Sequence, residues 1–471
     1  MLHTPHAVEV FMPNASLLKE FESLIGKENV LISEADRQCY SYDATPHAPV
    51  VPALVLRPTR VNELGPLIKR CYSAGFHIVV RGSGTNLSGG VVPDTRETVV
   101  ILTNALNRIL EINTEDCYAV VEPGVVTARF AEEVRKAGLF YPPDPSSMAV
   151  STLGGNVAEN AGGLRGLKYG VTKDYLLGLD FYDAEGQLIK TGSRTVKCAT
   201  GYNLAGLLTG SEGTVGVMSR LIMRLVPPPK ASQAMKATFA SKTAAAEAVA
   251  GIIAAHIVPC TLEFLDNVTL NRIEDFKGIG LPREAEAMLL VEVDGHPAQV
   301  QEEAEAVSAI LRQCGGEVQL AKDAKERDIV WEARRLALPA LARMRPTCVL
   351  EDATVPRSKL PALLTAIEGI AARYRLELGV FGHAGDGNMH PTFMCDSRDK
   401  DEMERVESAV AELFEQTLAL GGTLSGEHGT GITKSRWLEL EVGEATLGFC
   451  RKMRRAFDPK GLFNSSKIIG V

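Results

Sequence analysis

The chain has 471 residues, more than one ordinary domain needs, so we expect two domains. Its 45% hydrophobic and 23% charged residues are typical of a globular protein with enough apolar material for large cores. The net charge of −8, without clustered Lys and Arg, excludes nucleic acid as an expected partner, because phosphate binding needs concentrated positive charge.

The N-terminal twenty residues lack a basic segment followed by an apolar run, so we expect no signal peptide. We also expect no membrane span, since no apolar stretch reaches the roughly 18 residues that one needs. Nine cysteines are dispersed from Cys39 to Cys450 without a CxxC pair, which favours reduced thiols and leaves no obvious ligands for an iron–sulfur cluster. We therefore expect a cytoplasmic protein, with any membrane association made through a partner.

The first part of the chain alternates short apolar strands with glycine turns. A helix is predicted at 61–75, ending on Gly75, and another follows with Thr127 as N-cap and Gly138 as stop. The run 227–229 is three prolines and indicates a boundary. Strands are predicted at 53–58, 77–82, 98–104, 109–113 and 118–124.

After this boundary, two strand–helix–strand cycles predict a sheet with helices on one face. The sequence becomes glycine-rich again near residue 420, before a terminal helix and an irregular tail. We therefore predict a first domain at 1–228, an inserted domain at 229–419, and a C-terminal segment at 420–471 that returns to the first domain.

Three glycine-rich turns lie within about 140 residues: RGSGTNLSGGVVP (81–93), STLGGNVAENAGGLRGLKYG (151–170) and GSEGTVG (210–216). Such loops let backbone N–H groups converge on diphosphate oxygens, and glycine lets the backbone approach closely. The first loop fits neither the P-loop nor GxGxxG, and by itself is more often an ordinary turn. Together the three favour one extended, phosphate-bearing ligand.

Two of the nine histidines flank the turn in GHAGDGNMHPTF (382–393). Asp386-Gly387 predicts a two-residue hairpin turn between two strands. This register would pair His383 directly with His390, about 5 Å apart at Cβ, so that both imidazoles could converge on a cation. The alternatives are a hydrogen-bonded pair without metal and a phosphate-binding surface.

A third segment, SGEHGTG (425–431), adds Glu427 as a carboxylate ligand, with His428 beside it. Two histidines and one carboxylate leave coordination positions open for substrate, as catalytic metal sites do. No cysteine joins the set, so zinc, manganese and iron are all chemically suitable.

These motifs resemble those of FAD-linked D-2-hydroxyacid dehydrogenases, a family that includes D-lactate dehydrogenases, the glycolate oxidase flavoprotein subunit and D-2-hydroxyglutarate dehydrogenase. The resemblance covers essentially the whole chain: RGSGTNLSGG is similar to the diphosphate loop, and PDPSS with STLGGNVAENAGG to the segment that lines the rest of FAD. It implies an α+β fold: a two-part FAD-binding domain of the vanillyl-alcohol oxidase type, with an inserted substrate (cap) domain carrying an antiparallel sheet.

The resemblance implies FAD as cofactor. Some relatives attach FAD through a histidine in the first loop, but none lies between His77 and His256, so we predict non-covalent FAD. The family usually ends its flavin contacts with Asn-Pro-Gly-Lys, whereas this chain has Asn-Ser-Ser-Lys at 464–467. The implied FAD contacts are Arg81, Gly82, Ser83, Gly84, Thr85, Gly89, Asp144, Thr152, Gly154, Gly155, Asn160, Gly162, Glu212, Gly216, Val217 and Asn464.

The same resemblance implies a divalent metal held by His383, His390 and Glu427, with His428 as the catalytic base. Arg334, in WEARRLALPA, is similar to the family arginine that holds the substrate carboxylate; the alternative is a solvated helical arginine, with Arg335 adjacent. The implied reaction oxidises a D-2-hydroxy acid by hydride transfer to flavin N5. D-Lactate is the first expectation, with glycolate and D-2-hydroxyglutarate as alternatives.

The expected electron acceptor is a separate iron–sulfur subunit, an electron-transfer flavoprotein or a quinone. The oligomeric state stays open, with a homodimer as one alternative. Two other function classes remain: a metal hydrolase whose loops bind a nucleotide, and a non-catalytic electron carrier with a vestigial substrate site.

Overall fold

The computed structural model describes residues 13–470, whose strands form three sheets. The expectation of no signal peptide concerns in part residues 1–12, which lie outside the described residues. Within the described range, no helix has the length and apolar character needed to cross a membrane.

The first sheet has four strands. Two of them run parallel to its buried strand Thr98–Leu102, and helix Leu64–Ser73 makes the crossover that parallel pairing requires. The first glycine loop therefore leaves this sheet at the carboxyl end of a parallel strand, where ligands of such sheets bind. The strand order is Val30–Leu31, Leu54–Leu56, Thr98–Leu102 and His77–Arg81.

The second sheet has five antiparallel strands, and helix Thr127–Lys136 packs against it. Gly138 follows this helix with φ +80°, as predicted, but the N-cap prediction is wrong: Val126 is the N-cap. The Thr127 hydroxyl instead hydrogen-bonds the Ser151 carbonyl at 3.1 Å, tying this helix to the second glycine segment. The strand order is Ile109–Asn113, Tyr118–Val121, Val217–Arg224, Leu176–Tyr182 and Leu188–Gly192.

The third sheet is antiparallel throughout, as predicted, and has eight strands. The seven in its main path are Glu317–Leu320, Ala231–Phe239, Ala287–Gly295, Thr261–Asp266, Glu377–His383, Asn388–Cys395 and Thr347–Leu350, and the eighth, Ala353–Thr354, pairs with Asn388–Cys395.

Helices cover both faces of the third sheet, so the prediction of one covered face is wrong. The central strand Ala287–Gly295 is buried on both sides: Leu289 and Val291 pack in one core, Met288 and Leu290 in the other. On the first face lie Lys242–Ala254, Pro297–Gln313, Leu360–Tyr374 and Lys400–Ala419, and on the second Asn267–Lys277 and Ala324–Leu341.

The C-terminal segment returns to the first sheet: Phe463 bridges to Ile78 and stacks on Tyr72 with ring centroids 6.0 Å apart. The three-part domain division stays a prediction. The other α-helices are Ala15–Ile25, Glu34–Gln38, Leu153–Glu159, Gly166–Tyr169, Leu204–Leu208 and Leu438–Phe457, and the 3-10 turns are Lys27–Asn29, Val61–Glu63, Thr172–Tyr175, Arg357–Lys359 and Ser435–Trp437.

Candidate active site

The histidine hairpin forms, but its predicted register is wrong. His383 pairs with Asn388, and His390 pairs with Phe381, across a four-residue turn. The predicted two-residue turn needs positive φ at both central residues, and of Asp386 and Gly387 only the glycine has it. The register differs by two residues, which keeps both histidines on one face, with ring centroids 5.3 Å apart.

Glu427 joins this pair. Its Oε1 lies 2.9 Å from His383 Nε2 and 3.2 Å from His390 Nε2. The other ring nitrogens face buried carboxylates: His383 Nδ1 is 2.8 Å from Glu263 Oε1, and His390 Nδ1 is 3.9 Å from Asp352 Oδ1. Two imidazole nitrogens and a carboxylate oxygen therefore converge, a donor set that fits a divalent zinc, manganese or iron ion.

The electrostatics of this cluster call for positive charge at its centre. Burial alone would lower the pKa of His383, but Glu263 and Glu427 raise it well above its ordinary value. Burial would likewise raise the pKa of Glu427, but His383 and His390 hold it well below the usual range. Two ionised carboxylates thus face one imidazole, an environment that suits a cation.

His428 stacks on His390, with ring centroids 4.8 Å apart and planes 13° from parallel. The backbone N–H groups of Glu427 and His428 both donate to Asp352 Oδ2 at 3.0 Å, which fixes this turn. Burial lowers the pKa of His428 to about 4, since the opposing Asp352 charge is too weak to offset it. The imidazole is therefore neutral near pH 7 and can accept a proton.

A second group of candidate ligand atoms, from Asp352, His390 and His428, lies within 4.8 Å. The Lys434 ammonium is already 3.5 Å from Asp352 Oδ2 and supplies positive charge there. We therefore interpret Asp352 as a residue that holds His390 and His428 in place rather than as a metal ligand.

Arg334 lies on helix Ala324–Leu341 and is only 4% exposed, so the alternative of a solvated arginine is wrong. Its Nε donates to Glu263 Oε2 at 2.5 Å, and its guanidinium lies 4.8 Å from the centre of the Phe381 ring. Among the described residues its Nη groups make no hydrogen bond, which leaves them for a ligand. Arg335 is exposed but lines the same cavity.

A cavity of about 710 Å³ joins the glycine loops to this cluster, within the range usual for ligand pockets. Arg334, His390, Glu427 and His428 line it. So do most of the predicted FAD contacts: Arg81, Gly82, Ser83, Gly84, Thr85, Thr152, Gly154, Gly155, Gly162, Glu212 and Gly216.

Glycines let the segments that form the cavity wall pack closely against one another. A Cβ at Gly82 would lie 2.3 Å from Thr152 Oγ1, and one at Gly162 would lie 2.5 Å from Glu427 Oε2. The glycine segments therefore meet each other and the Glu427 turn with no room for a side chain. A wall built of backbone in this way fits a ligand with a diphosphate, as FAD has.

Five predicted FAD contacts, Gly89, Asp144, Asn160, Val217 and Asn464, do not line the cavity. Val217 is fully buried in the core of the first sheet, and Asn160 caps helix Leu153–Glu159 with φ 51°. The contact of all five residues with FAD stays a prediction.

Asn464 has the most direct supporting role. Its side-chain amide donates to the carbonyls of Gly90 at 2.8 Å and Glu212 at 2.5 Å, joining the first and third glycine loops. In place of Pro-Gly, Ser465 and Ser466 hydroxyls both donate to Asp94, which also pairs with Lys467.

Sequence reasoning missed Glu263, Asp352 and Lys434. Glu263 carried a signal, because a charged residue interrupts the apolar, fully buried strand TLEFLD. The apolar part of the cavity wall carried none, since its members look like ordinary core residues: Met218, Leu338, Leu350 and Phe381.

Comparison with known families agrees with this geometry. Residues 228–468 match the C-terminal domain of FAD linked oxidases, and residues 52–192 match the FAD binding domain. The chain therefore belongs to the FAD-linked oxidase family, and it is an FAD-linked oxidoreductase.

The chain is 48% identical over 444 residues to the glycolate oxidase subunit GlcD of Bacillus subtilis, covering 94% of each chain. It is 37% identical to GlcD of Escherichia coli strain K12, over 89% of this chain and 84% of that one. It is 32% identical to a D-lactate dehydrogenase of Archaeoglobus fulgidus, over 91% and 95%.

Solved structures confirm the fold class. p-Cresol methylhydroxylase superposes with a TM-score of 0.80 at 17% identity, over 97% of this chain and 96% of the other. The 4-ethylphenol oxidase of Gulosibacter chungangensis superposes with a TM-score of 0.79 at 17% identity, over 98% and 99%. The predicted vanillyl-alcohol oxidase type of fold is therefore confirmed.

Proposed function

We propose that this oxidoreductase converts a small D-2-hydroxy acid to the 2-oxo acid. One observation carries the proposal: Arg334, the His383–His390–Glu427 cluster and His428 meet beside the cavity that the glycine loops line. Relatives named for glycolate and for D-lactate support the substrate class. The preference for D-lactate stays a prediction, and the higher identity to the glycolate oxidase subunits puts glycolate beside it.

The reaction removes the hydroxyl proton and the C2 hydride of the substrate. When bound, FAD supplies the hydride acceptor, and a divalent ion supplies positive charge near the substrate oxygens. The neutral imidazole of His428 takes the hydroxyl proton. Arg334, held at Nε by Glu263, presents both Nη groups to the substrate carboxylate.

The test is anaerobic mixing of the purified protein with glycolate, D-lactate, L-lactate and D-2-hydroxyglutarate, one at a time. We expect a D-hydroxy acid or glycolate to bleach the flavin band at about 450 nm, a chelator to abolish the bleaching, and added metal to restore it. Failure of all four acids to bleach a flavin- and metal-loaded protein would contradict the proposal. A metal hydrolase would leave the flavin oxidised.

We further propose that the electrons pass to a separate acceptor protein or a quinone, because several relatives are named as oxidase subunits. The substrate-reduced protein should then reduce an artificial dye faster than it consumes oxygen. Equal rates with dye and oxygen would argue for a self-sufficient oxidase.

A further inference from the structure

The reaction scheme gives Glu263 one role, at Arg334, but the same carboxylate also contacts His383. The Glu263 side chain is fully buried, and its two oxygens serve two different functional groups. Oε1 lies 2.8 Å from His383 Nδ1, and Oε2 accepts the Nε–H of Arg334 at 2.5 Å. The sheet makes this possible, because strand Thr261–Asp266 pairs with the hairpin strand Glu377–His383.

We propose that Glu263 is a positioning residue that aligns the metal ligand His383 and the substrate clamp Arg334 as one unit; this inference rests on the proposed function. Accepting the Nδ1–H of His383 leaves Nε2, which faces Glu427 at 2.9 Å, as the nitrogen that can give up its proton and bind the ion. Accepting the Nε–H of Arg334 fixes the guanidinium plane. One carboxylate thereby sets the geometry of two groups that must meet the same substrate.

Carboxylate chemistry is required for this double role. A glutamate offers acceptor oxygens on both sides, whereas a glutamine amide offers one acceptor and one donor of similar shape. A Glu263→Gln change therefore keeps the volume but can satisfy only one of His383 and Arg334. Either the buried guanidinium then lacks its acceptor, or His383 can adopt the tautomer that carries its proton on Nε2 instead of Nδ1.

The neighbouring strand offers a matched control. Glu292 is also buried, and it accepts from Arg327 Nε at 2.9 Å and Trp331 Nε1 at 2.8 Å. Arg327, Trp331 and Arg334 are spaced four and three residues apart, on one face of helix Ala324–Leu341. Glu292 and Glu263 therefore tie the same helix to the same sheet, but only Glu263 also holds a histidine of the site.

The first readout is zinc affinity of the FAD-loaded, metal-stripped protein, measured by competition with a chromophoric chelator and independent of turnover. We expect E263Q to weaken zinc binding by about 10- to 100-fold, the range found for residues that orient metal-bound histidines. E292Q should lower the melting temperature to a similar extent but keep wild-type zinc affinity.

The second readout is steady-state kinetics at saturating zinc, where KM should rise about tenfold or more in E263Q through the freed arginine, and less in E292Q. Glu263→Asp keeps the charge but shortens the side chain by one methylene, so we expect a smaller loss of zinc affinity and a smaller rise in KM than in E263Q. It also serves as the test if E263Q does not fold.

Wild-type zinc affinity in E263Q or E263D, or an equal loss in E292Q, would overturn the inference while leaving the proposed function intact. A wild-type protein that neither binds zinc nor is reduced by any of the four acids would instead remove the proposed function. The two failures are therefore distinguishable.

Discussion

Replacing Gly162 by alanine tests whether the glycine wall and the metal ligands form one structure. The added Cβ would lie 2.5 Å from Glu427 Oε2, whereas ordinary contact begins at 3.4 Å. The carboxylate must therefore shift by about 1 Å, away from a position where its other oxygen lies 2.9 Å from His383 and 3.2 Å from His390. Misplacement of a catalytic group by this much can cost about 100-fold in rate.

The assay compares kcat/KM, zinc affinity and flavin content of G162A with those of the wild type. We expect kcat/KM to fall about 100-fold at full flavin loading, with weaker zinc binding. Gly166→Ala is the matched control, because its Cβ would sit at 3.4 Å from Asp386 Oδ2, an ordinary contact. Wild-type kcat/KM and zinc affinity in flavin-loaded G162A would refute the geometric argument.

His428, Asn464 and Glu212 each offer a further test. His428→Asn should lower kcat about 10²- to 10⁴-fold while FAD stays bound, and stopped-flow bleaching of the flavin at unchanged rate would exclude the base role. Asn464→Ala removes two buried hydrogen bonds worth about 1 kcal/mol each, so the free energy of unfolding, measured by urea titration, should fall by about 2 kcal/mol; an unchanged value would mean that the two loops stay joined without Asn464. Burial raises the pKa of Glu212 from 4.5 to about 7, so the native apoprotein holds a proton that the unfolded chain has lost. Its free energy of unfolding should therefore fall as pH rises from about 4.5 through about 7, a slope that urea titrations should find reduced in Glu212→Gln.

The sequence predicted those parts of the site whose residues lie close together along the chain. The glycine loops and the two histidine-containing motifs are contiguous, so their residue types and spacing carry the signal. Even the wrong hairpin register kept His383 and His390 together, because strand side chains alternate and a shift of two residues preserves the face.

The unpredicted parts depend on pairing between distant segments. Glu263 meets His383 across 120 residues, and Asp352 meets the Glu427 turn across 75, so neither contact has a local pattern. The second helical layer on the third sheet was missed for a related reason. A strand buried on both faces, such as Ala287–Gly295, has an apolar run that does not tell how many layers cover it.

The charge balance of the site bears on the choice of substrate. Nearby positive charges hold the pKa values of Glu263, Asp352 and Glu427 below their ordinary values, so all three carboxylates are ionised near pH 7. Against them stand the Arg334 guanidinium, the Lys434 ammonium and the His383 imidazolium, whose raised pKa keeps it protonated, so three negative and three positive charges cancel. A divalent ion that displaces the His383 proton would leave one positive charge, and a monocarboxylate substrate would bring the total to zero.

Glycolate and D-lactate meet this condition, whereas a dicarboxylate such as D-2-hydroxyglutarate adds a second negative charge that needs its own partner. Arg335 lines the same cavity and is exposed, so it is the candidate for that role. Arg335→Ala should therefore raise KM for D-2-hydroxyglutarate about tenfold, the scale of a charged hydrogen bond, and leave KM for glycolate nearly unchanged. Equal effects on the KM of both acids would show that Arg335 does not bind a second carboxylate. Arg334 would then be the residue that binds the substrate carboxylate.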